Sequence, residues 1–524
     1  MKNLTIINIA AAVDGTLHFP GSEESKHQHT APAEKNKKTA SGVFIDSRLC
    51  GKDSVFVAIK GERSDGHDYI KDVFAKGALC VICEHLPKDF SGDGYGPCIV
   101  VSSSTEALKK LAAYYRDQLD IKIVGIVGSM GKTSTKEMVA SVLSQHYNTH
   151  KTSGNFNNEI GVPLTLLAIR EEHRVAVVEM GISDFGEMDR LGAIVRPDAV
   201  VMTNIGPCHL EFLHDLDGVL KAKSEVFKHI SKNGLIALNG ADEKLKAIKN
   251  VKGCRVCYYN DGTMLSDTKV NPQKTVKQNK ITVAGNLADK SSIFSADQKN
   301  LGLLGTGFTL VTPAGTIEAA VPLPGAHSVT NAQAAAAIGL EFGLSLEEIA
   351  AGIAAVKPVQ GRGYIERIGK YTVIDDCYNA NPESVKAAID LLKTAKGRKV
   401  AILGDMFELG ENSAKLHADV GEYASGAKLT LAIFIGELSK NGYDAYNAYS
   451  AINRSQKLRK PSVLKPGAPI KPVLPKSMYF KDIETFFNFF KTIPLKKGDN
   501  ILLKASHGMH FDKILAFFKE NAIL

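Results

Sequence analysis

Residues 121–143 read Ile121-Lys-Ile-Val-Gly-Ile-Val-Gly128-Ser-Met-Gly131-Lys-Thr-Ser-Thr-Lys-Glu-Met-Val-Ala-Ser-Val-Leu143. Ile121, Ile123, Val124, Ile126 and Val127 form a nearly unbroken apolar run, the mark of a strand buried on both faces. Met138, Val139, Val142 and Leu143 fall on one helical face. Between them lies a glycine turn ending in Gly131-Lys132-Thr133. Strand, glycine loop and helix together make a phosphate cradle. Backbone amides at the helix N-terminus face a phosphate chain, Lys132 reaches its outer phosphates, and the Thr133 hydroxyl is placed for Mg²⁺. The long form of the motif wants glycine at 126, where this chain has Ile126; the shorter Gly128-x-x-Gly131-Lys132-Thr133 is intact. The expected ligand is ATP or GTP.

The chain's 524 residues suggest roughly three domains. With 44% hydrophobic and 23% charged residues it reads as an ordinary soluble globular protein. No segment is long and apolar enough to span a bilayer as a helix, so no membrane insertion is expected. Met1–Val13 faintly resembles a signal peptide, but Asn3, Asn8 and Asp14 weaken that reading, and an ATP-dependent enzyme belongs in the cytoplasm. The eight cysteines suggest no disulfide framework in so long a chain. Cys80/Cys83 and Cys254/Cys257 have chelating spacing, yet both pairs sit in strand-like segments, where a spacing of three sends the thiols to opposite faces. Buried thiols are expected there rather than zinc.

The formal charge of +8 is local. Residues 452–476 hold Arg454, Lys457, Arg459, Lys460, Lys465, Lys471 and Lys476, no acid, and five prolines. They read as a solvated surface insertion, and no nucleic-acid partner is expected. Residues 21–40 read as a second polar loop.

The fold class expected is α/β with three domains: 1–118, 119–357 and 358–524. A helix over 105–118 leads into the central domain, where strands near 121–127, 174–179, 198–203 and 234–238 alternate with helices. That pattern implies a parallel sheet covered on both faces. Residues 260–320 read as short strands and loops, followed by helices over 328–342 and 345–356. A second strand–helix series starts at 359, with strands near 371–375, 399–403, 430–435 and 500–504 and helices near 382–395, 413–424, 481–491 and 511–520. It is Rossmann-like in layout, but Gly361-Arg-Gly363 lacks the third glycine of a dinucleotide fingerprint, so a nicotinamide site is not expected.

Three polar residues of the central domain sit where ligands are expected. Glu179 closes an apolar strand, and ligands of open α/β sheets gather at strand carboxyl ends; a carboxylate there can hold Mg²⁺. His209 follows the strand at 198–203. Lys223 lies on a helix, where lysines are usually solvated. Each is weak alone.

Together with their flanking sequence they carry a resemblance. Gly128–Thr133, Gly154-Asn-Phe-Asn-Asn-Glu-Ile-Gly161, Glu179-Met-Gly181, Asn204-Ile205 with His209, Ala222-Lys223, Pro324–Asn331, Gly361-Arg362 and Asp375-Asp-Cys-Tyr-Asn-Ala-Asn-Pro382 follow one another in the order seen in the Mur ligases. These are ATP-dependent amide-forming enzymes of peptidoglycan synthesis. Asn155–Pro163, Tyr378–Asn381, Leu403–Gly410, Asp46-Ser47-Arg48 and Gly61–His67 most resemble the branch that adds D-alanyl-D-alanine to UDP-N-acetylmuramoyl-tripeptide. The resemblance implies a UDP-sugar domain, an ATP domain and a third domain that completes the ATP site and admits the amine, in a chain expected to be a monomer. It implies ATP contacts by Gly128, Ser129, Gly131, Lys132, Thr133, Ser134, Asn331, Arg362 and Asp376. It implies two Mg²⁺ ions held by Thr133, Glu179, His209 and a Lys223 that is carbamylated in many members. Lys132, Lys223, His209 and Arg362 would be catalytic. Ser47, Arg48, Asn155, Asn157, Asn158, Asn379 and Asn381 would bind substrate. The Ala-Lys pattern selects Lys223 over Lys221.

Two departures stand out: Ala505 and His507 replace the family's usual glycine and arginine in Lys504–Met509. A diaminopimelate- or lysine-adding Mur enzyme, folylpolyglutamate synthase, or more distantly a P-loop switch, remain the competing readings at the level of sequence.

Overall fold

The computed structural model describes residues 1–21, 38–260, 292–457 and 476–521. Most of both polar insertions, and residues 261–291, lie outside them. Three sheets dominate, each mostly parallel among its described pairings.

The first sheet has five strands in the order Thr16–His18, Cys98–Val100, Cys80–Cys83, Val55–Val57, Val43–Phe44. Only its first pair is antiparallel. The helix Ile6–Ala12, capped by the Thr5 hydroxyl, buries Ile6, Ile9 and Ala10. The apolar start of the chain therefore supplies core. All eight cysteines are free thiols.

The second sheet has nine strands. The phosphate-loop strand Lys122–Val127 lies between Val175–Glu179 and Ala199–Met202, parallel to both. Thr149–Lys151 forms the edge beyond Val175–Glu179. On the other side follow Leu235–Asn239, Arg255–Tyr259, Ser292–Asn300, Thr306–Thr312 and Gly315–Val321. The last three run nine, seven and seven residues, longer than the short strands expected of 260–320. Thr306–Thr312 alternates strictly between buried and half-buried positions, a period-two pattern that its three threonines and one glycine hide from a hydropathy reading.

The third sheet has the order Tyr364–Ile368, Tyr371–Asp375, Asn500–Lys504, Lys399–Gly404, Leu431–Ile435, Ser477–Phe480. Its first pair is antiparallel and the rest parallel. Val373, Val400, Ile402, Ile433, Ile501 and Leu503 pack into one core. Ile374, Ala401, Leu403, Ala432, Phe434 and Leu502 pack into another on the opposite face. Helices on both sides thus account for the unbroken apolar strands. The helix Ser439–Lys457 carries no strong apolar stripe and is an addition to the elements read from sequence. It approaches Ser413–Gly426 so closely that a Cβ on Gly421 would lie 2.0 Å from the Gly442 carbonyl oxygen. The start of the basic stretch, 452–457, is the end of this helix rather than an extended excursion.

By contacts the chain forms two compact units. One comprises Met1–Ala296, Leu310–Ile317 and Thr330–Ile353; the other comprises Asp297–Thr309, Glu318–Val329 and Ala354–Leu524.

Candidate active site

In the first unit the phosphate loop is built from glycine geometry. Gly131 has φ +77° and opens the helix Lys132–Leu143, whose first-turn amides point outward as at any helix start. Gly128 has φ +148°, and a Cβ there would lie 1.9 Å from Thr203 Oγ1. Thr203 donates its hydroxyl to the Met130 carbonyl at 2.6 Å. Asn204 Oδ1 accepts from the Met130 amide at 2.9 Å, and Ser129 Oγ donates to the Gly206 carbonyl at 3.0 Å. The loop is therefore braced by the chain that follows the neighbouring strand. Gly128→Ala should lower the unfolding free energy by roughly 2 kcal/mol, from strained backbone and overpacking together. A urea titration checks this, and an unchanged midpoint would mean that Thr203 swings aside freely.

Lys132 Nζ donates to the carbonyls of Gly128 and Ser129, at 2.9 and 3.2 Å. Ser134 is half-buried on the first turn. Thr133 is buried, and its hydroxyl donates to Glu179 Oε1 at 3.2 Å. Asn157 Nδ2 donates to the same oxygen at 2.8 Å. Glu179 is 1% exposed, yet its Oε2 takes no hydrogen bond. A buried carboxylate oxygen in that condition beside a phosphate-loop threonine suits a hard divalent cation. Among the described residues there is no group of three or more His, Cys, Asp or Glu suited to a metal, so the Thr133 hydroxyl and oxygens from outside the chain would have to complete a shell around Glu179.

Lys223 is 1% exposed, on the helix Leu216–Ser224. Burial, reinforced by the charge of Lys132, brings its pKa down to about 8. Lys221 is exposed, its ammonium 5.7 Å from the Phe185 ring centre. His209 is half-buried, with φ +50°, just ahead of the short helix Leu210–Leu213. Asn331, on Ala326–Glu341, accepts from the Thr135 hydroxyl at 2.9 Å, one turn below the phosphate loop.

The asparagine-rich loop divides its work. Asn155 is exposed. Asn157 meets Glu179. Asn158 Oδ1 accepts from the amides of Ile160 and Gly161, at 3.2 and 2.9 Å, and so caps the next helix. In the first sheet's domain, Ser47 and Arg48 start a short helical turn capped by Asp46. Arg48 pairs with Asp46 at 2.7 Å and is otherwise exposed; hydrogen bonds from Arg48 bring the Asp46 carboxyl down to about 2.

In the second unit, the Arg362 guanidinium carbon lies 4.0 Å from the Tyr378 ring centre. His507 stands 5.7 Å from the same ring, centre to centre. Asp376 pairs with Lys504 at 2.7 Å, and Lys504 also donates to the Asn379 carbonyl at 2.8 Å. Asn379 Oδ1 accepts from the Ala380 amide at 2.9 Å. Asn381 forms a capping box with Ser384 at the start of Pro382–Thr394.

Sequence reading missed Lys136. It is 1% exposed, with Nζ 3.6 Å from Glu179 Oε2. Its spacing to Val139, Ala140 and Leu143 puts it on the buried helical face, and that was the available signal.

Comparison with known proteins agrees with this architecture. Residues 39–116 match the Mur ligase family catalytic domain, 126–339 the Mur ligase middle domain, and 363–507 the Mur ligase glutamate ligase domain. The chain belongs to the Mur ligase family. It is 36% identical over 402 residues to the UDP-N-acetylmuramoyl-tripeptide–D-alanyl-D-alanine ligase of Escherichia coli (strain K12), covering 76% of this chain and 82% of that one. It is 32% identical over 527 residues to the ligase of the same name from Bacillus subtilis (strain 168), covering 100% of each. Among solved structures, MurF from Acinetobacter baumannii superposes with a TM-score of 0.77 at 28% identity, over 99% of both chains.

Proposed function

We infer that this chain is an ATP-dependent peptide ligase that adds D-alanyl-D-alanine to UDP-N-acetylmuramoyl-tripeptide, in peptidoglycan precursor synthesis. The observation that carries it is the phosphate loop facing the buried Glu179 carboxylate, within a chain related to such ligases along its whole length. A carboxylate is a poor acyl donor, because oxide would have to leave. Transfer of the γ-phosphoryl group from ATP gives an acyl phosphate. The dipeptide amine then attacks its carbonyl carbon, loses a proton, and phosphate departs.

The protein's part is to position and to compensate charge. The helix start and Lys132 take the phosphates, with Ser129 and Ser134 beside them. We assign Asn331 to the adenine, Arg362 to the γ-phosphate and Asp376 to the ribose. Tyr378 stacks under Arg362 and Lys504 pairs with Asp376, so both partners are held in place. Ser47 and Arg48 are assigned to the UDP-sugar, and Asn155, Asn157, Asn158, Asn379 and Asn381 to substrate binding. Thr133, Glu179, His209 and a carbamylated Lys223 would hold two Mg²⁺ ions. When bound, Mg²⁺ supplies positive charge where two anions, carboxylate and γ-phosphate, must meet. The domains are taken as 1–118, 119–357 and 358–524. We place the protein in the cytoplasm as a monomer; no described helix is long and apolar enough to cross a membrane.

One assay tests the reading: phosphate release from ATP with UDP-N-acetylmuramoyl-tripeptide, with and without D-alanyl-D-alanine. Release should depend on both, and free diaminopimelate, L-lysine or glutamate should not replace the dipeptide. Equal turnover with a single amino acid would move the protein to another branch of the family.

A further inference from the structure

We propose that Lys136 is a positioning residue whose ammonium is the standing counter-ion of Glu179 Oε2 and sets how tightly that carboxylate takes a divalent cation. The proposal rests on the assignment of Glu179 to metal made above.

Glu179 is unevenly satisfied. Its Oε1 accepts from Thr133 and Asn157, while Oε2 accepts no hydrogen bond. What faces Oε2 is Lys136 Nζ, 3.6 Å away: an ion pair without a hydrogen bond. The same ammonium lies 3.3 Å from Glu137 Oε1 and 3.5 Å from the Gly154 carbonyl oxygen. Glu137 also pairs with Lys151. The sequence Glu179, Lys136, Glu137, Lys151 is thus a row of alternating charges, with its first two members each 1% exposed.

A buried ammonium is costly, and an apolar side chain of the same length would fill the space without that cost. What the ammonium does is balance a carboxylate that would otherwise be an unpaired buried charge. Its placement also leaves Oε2 open to a stronger partner, because no directed hydrogen bond has to be broken. A divalent cation arriving at Oε2 must share that oxygen with Lys136, and the two cations repel through a medium that screens poorly. Lys136 therefore weakens metal capture by Glu179 alone, so that tight capture needs the added negative charge of a bound triphosphate.

The test uses the full chain without nucleotide and Mn²⁺ as the probe, with free Mn²⁺ read by electron paramagnetic resonance. Lys136→Met should bind Mn²⁺ about tenfold more tightly, and Lys136→Arg should stay within about threefold of wild type. Glu137→Gln, which leaves Glu179 as the one carboxylate paired with Lys136, should weaken Mn²⁺ binding by about threefold. Unchanged or weaker binding in a Lys136→Met protein with a native circular dichroism spectrum would overturn the proposal. Should that variant not fold, Glu137→Gln decides: unchanged or tighter binding there overturns it. Glu179→Gln separates the two levels of the inference. If it binds Mn²⁺ as wild type does, the assignment of Glu179 to metal fails, whatever Lys136 does.

Discussion

Lys223→Ala should lose turnover by about 10³-fold or more, and small carboxylic acids such as acetate or formate should restore part of it. A metal site with only one carboxylate among its assigned residues has a lysine where an anion would serve. Lysine reacts with CO₂ only as the neutral amine, forming the N–C bond of a carbamate and releasing a proton. A pKa of about 8 leaves roughly a quarter of the amine neutral at pH 7.5, against about 0.1% for an ordinary lysine. The sign follows: below about 8 the ammonium dominates and carbamylation fades, so removing CO₂ should depress wild-type activity more at pH 7 than at pH 9. The size of the loss is that expected when a charge aimed at the reacting phosphoryl group is removed. Lys221→Ala should be close to wild type, since Lys221 lies on the exposed side of the same helix. Full activity in Lys223→Ala would remove Lys223 from the mechanism.

Lys132→Ala should abolish ligation, by roughly 10²- to 10³-fold or more, while leaving the melting temperature within about 2 °C of wild type. The described partners of its ammonium include two carbonyls of its own loop, and its removal empties no core position. The same loop bonds to Thr203, Asn204 and Gly206 without Lys132, so its shape survives. A calorimetric scan beside the phosphate-release assay separates the outcomes. A fall of many degrees together with lost activity would make Lys132 a structural residue.

How far the sequence could be read depended on whether a signal was local. The phosphate loop was legible because an apolar strand, two glycines and an amphipathic helix stand within 23 residues. The four inner strands of the third sheet were legible because, covered on both faces, they carry largely apolar runs. Ser439–Lys457 was not, because its close approach to the preceding helix is made by Gly421 and Gly442, which add nothing to a hydropathy pattern. Tyr364–Ile368 was missed for a related reason: it is an edge strand with one buried residue. At the site, Glu179 could be found from its place at a strand end, but its partner Lys136 lies 43 positions earlier, and only the fold brings them together. Motif resemblance also cannot tell a ligand-facing asparagine from one that caps a helix, and Asn158 and Asn381 both cap.

The hydrophobic core of the first unit runs without interruption from Leu4 to Leu245 and crosses the sequence boundary near 118. Tyr115, fully buried, donates its hydroxyl to the Ile169 carbonyl at 2.8 Å. Lys109 reaches Glu159, which also holds Arg190. Cutting the chain at 118 would therefore expose apolar surface on both pieces and sever an ion-pair cluster at the join between the two proposed domains. The parts before and after residue 118 share one buried core, so damage to the first should lower the stability of the second.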